Sequence, residues 1–418
     1  MKSEHSDVLI LGAGVIGLAC ALSLLQRGVT VRLLDRGTPG CGSSHGNCGT
    51  ITPSHAEPLF MPGMVGKALR WMLRKDAPFY VSPRPDPQRL RWLLGFARRC
   101  NWRDFERVAE CRASILQYSR HLLGKWVAEE GLDCAFRETG TLYVYRDASA
   151  LAADAWHGEL LDRLGIEVQR KTGAEVEAME PALRPGVAGG ELHPGDAHLR
   201  PDRLLAELAR RVRELGGIVE QDTEVTGMKL NAGRIESVTS SRGDYSAEHI
   251  VLAMGAWSPK LAATLGLRLP MQPGKGYSIT TSCPPVCPNR PLTLHEASVC
   301  VTSWPDGFRI GSTMEFSGYS EGINRLRLDA LKRGAARYLH HPWGDTVKEE
   351  WWGWRPMCVD ELPLIGPSSR WSNLHLATAH GMMGMGMSAA TGELVAAGIL
   401  GQPAEIDPVP YLPRRFGL

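Results

Sequence analysis

The chain has 418 residues, a formal net charge of +2, 43% hydrophobic residues and ten cysteines. That length predicts two domains rather than one core, the near-neutral charge argues against nucleic acid as a main partner, and the lack of any run of about 18 apolar residues argues against a spanning helix. The first strand starts too early for a signal peptide, and the cysteines show no CxxC pair and read as reduced thiols, so the expected location is cytoplasmic.

The first readable unit is VLILGAGVIGLACALSLLQRGVTVRLLDR, Val8 to Arg36. Val8 to Leu11 reads as a strand, Leu18 to Arg27 as a helix stopped by Gly28, and Val31 to Leu34 as a second strand. Between the first two lie Gly12, Gly14 and Gly17, a GxGxxG pattern. Its glycines allow a tight turn, a close approach of backbone to a pyrophosphate, and close helix packing. Phosphates would sit at the helix N-terminus, where free N–H groups favour negative charge. Asp35, ending the second strand, is placed to accept from a ribose. The unit predicts an adenine dinucleotide without saying which.

The polar stretch Gly37 to Pro53 follows directly and must pass the cofactor, offering Ser43, Ser44 and Asn47 to its oxygens. From Lys67 to Arg107, Trp71, Trp92, Trp102 and Phe105 interleave with Arg70, Arg74, Arg91, Arg98, Arg99 and Arg103. Two readings compete: amphipathic helices with an arginine face, or a patch for a membrane interface. Pro201 to Leu215 has helical spacing through Leu204, Leu205, Leu208 and Val212. Ile218 to Gln221, Met228 to Leu230, Ile235 to Thr239 and Ile250 to Ala253 read as strands, the last leading to a stop at Gly255. Cys283 and Cys287 lie in a proline-rich loop without a second pair, and His340 and His341 read as surface histidines after a helix, so no metal site is expected.

Near the C-terminus, Leu374 to Ala379 reads as a strand, Gly381, Gly384 and Gly386 as a turn, and Ser388 to about Leu400 as a helix. Met382, Met383, Met385 and Met387 do not keep a helical period, and the glycines between them indicate close backbone approach. This turn supplies a second helix N-terminus for developing negative charge.

Taken together, GAGVIGLACALSLLQRG, SSHGNCGTITP, LRWMLRKDAP, GDAHLRPDRLL, LAMGAWSP, PGKGYSIT, WRPMCVDELPLIGP and HGMMGMGMSAATGELVA resemble the D-amino-acid oxidase (DAO) superfamily of flavoproteins. Within it the chain is most similar to bacterial FAD-dependent D-amino-acid dehydrogenases. The resemblance implies an α/β plus α+β fold. A discontinuous Rossmann-like FAD domain would take 1–75, 185–262 and 350–418, and an antiparallel-sheet substrate domain 76–184 and 263–349.

It also implies non-covalent FAD, its ADP half held by Gly12, Ala13, Gly14, Val15, Ile16, Gly17, Asp35 and Arg36. Ser43, Ser44, Asn47, Cys48 and Gly49 would approach the phosphates and flavin. Val225, Gly255 and Trp257 would form the adenine pocket, and Gly381, Met382, Met383 and Gly384 would face the isoalloxazine. Arg355 matches the arginine that pairs with a substrate carboxylate; the competing reading is a salt bridge with Asp360 or Glu361. Tyr277 and Tyr319 are substrate hydrogen-bonders or packing residues, and His45 is a further polar contact. Two positions depart from the pattern: His45 stands where a Phe is usual and Thr50 where a Gln is, so the side-chain preference does not carry over.

The implied reaction is oxidation of a D-amino acid to a 2-oxo acid, or of D-proline or D-hydroxyproline to a cyclic imine. A sarcosine or glycine oxidase, or a 2-hydroxy-acid oxidase, is the alternative on the same fold. A nicotinamide protein without flavin is disfavoured by the second glycine turn. The partners expected are an amino-acid substrate and a quinone or respiratory-chain acceptor, with peripheral contact on the inner face of the membrane and an open oligomeric state.

Overall fold

Val8, Leu9, Ile10 and Leu11 are apolar in unbroken succession and fully buried, a pattern a strand adopts where both faces of its sheet are covered. In the computed structural model, which describes residues 4–72 and 79–418, the strand Glu4–Leu11 lies inside an eight-stranded sheet. Arg74 and the expected boundary at 75/76 lie outside the described residues. The sheet runs Val225–Asn231, Arg234–Ser240, Gly243–Leu252, Glu4–Leu11, Val31–Leu34, Ile218–Glu220. Leu374–Thr378 joins the end of Gly243–Leu252 in parallel, and Leu364–Pro367 pairs antiparallel to it. Val8 and Ile10 point into one core and Leu9 and Leu11 into another.

The first core is covered by the helices Val15–Leu25, Pro201–Glu214, Trp102–Glu129 and Gly384–Leu400. Small residues let two of them touch: a Cβ on Gly392 would lie 2.5 Å from the carbonyl of Ala19. The second sheet, with nine strands, runs Val347–Cys358, Met271–Thr281, Gly307–Phe316, Val299–Trp304, Leu292–Leu294, Thr141–Tyr145, Gly189–His193, Gln169–Thr172, and Phe79–Val81 pairs with Gly307–Phe316. It is antiparallel except where Leu292–Leu294 meets Thr141–Tyr145 and where Phe79–Val81 joins.

Several expectations need correction. The strand Gly243–Leu252 ends three residues before Gly255, which opens a single 3-10 turn, Gly255–Trp257. The first helix begins at Val15, not Leu18, and the last at Gly384, not Ser388, so Met385 and Met387 are buried helical residues. Tertiary packing outweighs the roughly 1 kcal/mol helix penalty of each glycine there. The division of the chain also differs at three places. Gly189–His193 pairs within the second sheet although 185–262 was assigned to the first domain, and residues 350–358 continue a strand of that second sheet. The helix Trp102–Glu129, assigned to the substrate domain, packs into the first core through Ile115, Leu116, Leu123 and Trp126. Amphipathic periodicity shows that a helix has an apolar face, not which sheet that face meets.

In the basic, aromatic segment, Trp92 and Phe105 are core residues, whereas Trp102, Leu69, Leu90 and Leu94 are exposed. Among the described residues no helix is long and apolar enough to cross a membrane.

Candidate active site

A cavity of about 1440 Å³ opens between the two sheets, and the glycine turns of the first sheet form one end of it. Gly12 has a φ of +105°, and a Cβ there would sit 2.6 Å from the carbonyl of Ala253, so only glycine fits this turn. A Cβ on Gly17 would sit 1.9 Å from the Gly12 carbonyl, the close packing that fixes the helix against the strand. Gly14 is the N-cap of this helix and has no side chain with which to bond its free N–H groups. The Ser44 hydroxyl accepts from Val15 N–H at 3.2 Å, and Asp35 accepts from the N–H groups of Ala13 at 2.7 Å and Gly37 at 3.0 Å.

Of the expected cofactor residues, Gly12, Gly14, Val15, Ile16, Asp35, Arg36, Ser43, Ser44, Asn47, Cys48, Val225, Gly255, Trp257, Gly381, Met382, Met383 and Gly384 all line this cavity. Ala13, Gly17 and Gly49 stand behind its wall: Ala13 and Gly17 shape the turn, and a Cβ on Gly49 would lie 2.0 Å from the Leu199 carbonyl. The Arg36 guanidinium lies 4.3 Å over the Trp257 ring, and the Ser43 hydroxyl donates to the Trp354 carbonyl. Asn47 accepts from Gly49 N–H at 2.7 Å, which closes the turn after Cys48. The last helix likewise starts without a side-chain cap on Met383. Two uncapped helix ends facing a long cavity fit the diphosphate and the electron-rich edge of a flavin dinucleotide.

The second sheet contributes Arg355. Its Nη1 donates to the Thr313 carbonyl at 2.6 Å, and burial pushes the guanidinium below its ordinary value. The competing salt bridge does not form: Asp360 is held by Arg415 at 2.8 Å and Glu361 by Arg112 at 3.3 Å. Among the described residues Arg355 faces the cavity with no carboxylate partner. Its position depends on two features that sequence reasoning missed. Gly276 leaves the space the guanidinium occupies, since a Cβ there would lie 2.4 Å from Cζ, Nη1 and Nη2. Opposite it, the register shifts between Lys275 and Tyr277, and Ser312 and Thr313 take φ values of +138° and +67°. This bulge with its strained backbone carries the carbonyl that holds the guanidinium.

The other substrate candidates fare differently. The Tyr277 ring lines the cavity, but its hydroxyl donates to Glu315 at 2.9 Å. Tyr319 donates to the Ala256 carbonyl at 2.6 Å and is not part of the cavity wall. His45 is also absent from the wall: its Nε2 lies 2.8 Å from Glu349, and its carbonyl accepts from Arg309 at 2.7 Å. That pairing holds the imidazole against Glu349.

The far end of the cavity is polar, with His55, Glu57, Tyr143 and His157 in its wall. Against the upward push of burial, His55 and His157 hold Glu57 down to about 2. Against the downward push of burial, Glu57 and Glu191 raise His157 to about 10. The imidazolium is thus clamped between two carboxylates, each 3.3 Å away. His193 approaches this group, and ligand atoms of His157, Glu191 and His193 lie within 4.8 Å of one another. His55 and Glu57 come from a loop, Tyr143 from one strand, Glu191 and His193 from another and His157 from a helix, so only the fold brings the group together.

The family model described as FAD dependent oxidoreductase (DAO) matches residues 7–397. Among curated proteins, the chain is 34% identical over 415 residues to a D-amino acid dehydrogenase of Methylobacterium nodulans, covering 96% of each chain. It is 35% identical to one of Paramagnetospirillum magneticum, again covering 96% of each. Among solved structures, glycine oxidase from Geobacillus kaustophilus superposes with a TM-score of 0.77 at 23% identity, covering 98% of both chains. L-proline dehydrogenase from P. horikoshii gives 0.77 at 19% identity, covering 99% of this chain and 98% of that one. These two likenesses establish the fold.

Proposed function

This chain belongs to the DAO family of FAD-dependent oxidoreductases, and on that premise we propose that it is a D-amino-acid dehydrogenase. It oxidises a D-amino acid to an imino acid, which water hydrolyses to a 2-oxo acid, or a cyclic substrate such as D-proline or D-hydroxyproline to a cyclic imine. The observation that carries the reading is Arg355, a half-buried guanidinium facing the cavity without a carboxylate of its own.

Bound FAD supplies the two-electron acceptor. Arg355 offers its remaining N–H groups to the substrate carboxylate, whose planar pair of oxygens matches the guanidinium fork. The Thr313 carbonyl holds one side of that fork, and the Gly276 gap sets its height above the sheet. The protein walls of the cavity around Arg355 lower the local dielectric, which strengthens the attraction over its value in solvent. Tyr277 keeps its proton on the Glu315 side and contributes its ring as wall. With the carboxylate fixed, orientation accounts for much of the barrier reduction.

The experiment is anaerobic bleaching of the flavin by a panel of D- and L-amino acids, D-proline, cis-4-hydroxy-D-proline, glycine, sarcosine and 2-hydroxy acids. Bleaching by D-amino acids supports the reading. Bleaching by 2-hydroxy acids alone, or by glycine and sarcosine alone, overturns it.

The acceptor belongs to the same proposal. A quinone takes the electrons faster than oxygen, and the exposed apolar residues Leu69, Leu90, Leu94 and Trp102, set among arginines, support docking at an anionic membrane surface. Flotation with anionic vesicles, weakening as salt rises, supports this; stoichiometric peroxide at the rate seen with a dye identifies an oxidase instead.

A further inference from the structure

The strand register sets Cys300 directly opposite Gly311. Such paired residues share a face, with Cβ positions about 4.5–5.5 Å apart. Gly311 leaves its Cβ space empty, and Cys48 fills it, its Sγ 2.4 Å from the position that atom would take. The loop that follows the nucleotide turn thus lays one cysteine beside another that lies 252 residues later. Both line the cavity, and neither is sealed in the core.

The surroundings make the two sulfurs unequal. The neighbouring Cys300 thiol, then the guanidiniums of Arg309 and Arg355, pull the Cys48 thiol below its ordinary value against burial. The neighbouring Cys48 sulfur and burial push Cys300 well up. The other thiols that shift appreciably all move up, chiefly through burial. A thiolate is the nucleophilic form of cysteine, and a neighbouring thiol is what traps its first oxidation product.

We propose that Cys48 and Cys300 form a reactive thiol pair in the cavity wall, at which a hydroperoxide oxidises Cys48 and Cys300 closes a reversible disulfide. In the first step the Cys48 sulfur attacks the near oxygen of the peroxide, the O–O bond breaks, and a sulfenic acid and an alcohol or water result. In the second, the Cys300 sulfur attacks the Cys48 sulfur, the S–S bond forms, the S–O bond breaks, and water leaves with the Cys300 proton. Overall two thiols lose two electrons and two protons, and the hydroperoxide is reduced by the same two electrons. The reaction is independent of which amino acid the enzyme oxidises.

The test treats the FAD-loaded protein with one equivalent of hydrogen peroxide, alkylates the remaining thiols, and maps a non-reducing digest by mass spectrometry. The expected product joins the Cys48 and Cys300 peptides with loss of two hydrogens and is reversed by dithiothreitol. The exposed Cys41 and Cys283 remain alkylated and serve as internal controls. In Cys300→Ser given two equivalents of hydrogen peroxide, Cys48 proceeds through the sulfenic acid to a sulfinate that dithiothreitol does not reverse, and in Cys48→Ser, Cys300 stays reduced. Circular dichroism and FAD content verify that both variants fold. Oxidation at Cys41 or Cys283 with Cys48 and Cys300 still alkylated overturns the proposal, as does a Cys48 sulfinate without the cross-link in the unaltered protein.

Discussion

Adding one methyl group at Gly276 tests whether the position of Arg355 matters as well as its charge. In Gly276→Ala the new Cβ falls 2.4 Å from Cζ, Nη1 and Nη2 of Arg355. An ordinary contact needs about 3.4 Å, so the guanidinium must move by roughly 1 Å. The fold accommodates this, because the clashing atoms are the far end of a flexible side chain and alanine is acceptable in a strand. The hydrogen bond to the Thr313 carbonyl, at 2.6 Å, does not survive such a shift intact, and neither does the alignment of the fork. A hydrogen bond to a charged group contributes about 1.5–3 kcal/mol, which corresponds to roughly 10- to 100-fold in rate. A misplacement of about 1 Å in a positioning group independently costs about 100-fold. The expected outcome is a 10- to 100-fold fall in kcat/KM for the D-amino acid, with FAD content and melting temperature near those of the parent. Steady-state kinetics on the flavin-loaded variant measure it. Arg355→Met supplies the lower reference, since leaving a buried charge unpaired costs about 3–5 kcal/mol. Unchanged kinetics in Gly276→Ala, with Arg355→Met inactive, refute the positional argument; unchanged kinetics in both remove Arg355 from the reaction.

Gly14→Val is expected to fold but to purify without flavin: a Cβ there meets only the Ser44 hydroxyl, at an ordinary 3.5 Å, and projects into the cavity where the pyrophosphate would lie. Absorbance of the purified protein and circular dichroism together check it. Arg415→Met strands the Asp360 carboxylate, now held at 2.8 Å by Nε with a second contact at 3.2 Å, and is expected to cost about 3–5 kcal/mol in denaturant unfolding. The stability held by His157 is fully present below its unfolded value near 6.5 and is lost as pH rises toward about 10. A melting temperature that falls over that interval in the parent, and falls less in His157→Gln, is the expected result.

The sequence alone determined the nucleotide unit, because everything that defines it lies within 29 consecutive residues, Val8 to Arg36. An apolar run, glycines at fixed steps and a closing Asp35 act over one strand, one turn and one helix, so local sterics suffice to read them. The helix Pro201–Glu214 was legible for the same reason, its leucines marking one face. The start of the last helix was not, because Gly384 and Gly386 look like a turn until helices pack against them; a Cβ on Gly386 would already lie 3.2 Å from Leu116. Arg355 could be singled out by its motif, yet whether it meets a carboxylate was decided by Arg415 and Arg112, which occupy Asp360 and Glu361 first. The same holds for the Gly276 gap, the bulge at Thr313, the pairing of His45 with Glu349, and the meeting of Cys48 with Cys300. Each depends on which residues stand opposite one another across strands and loops distant in sequence, and a shift of one residue in that register would turn the side chains to the other face.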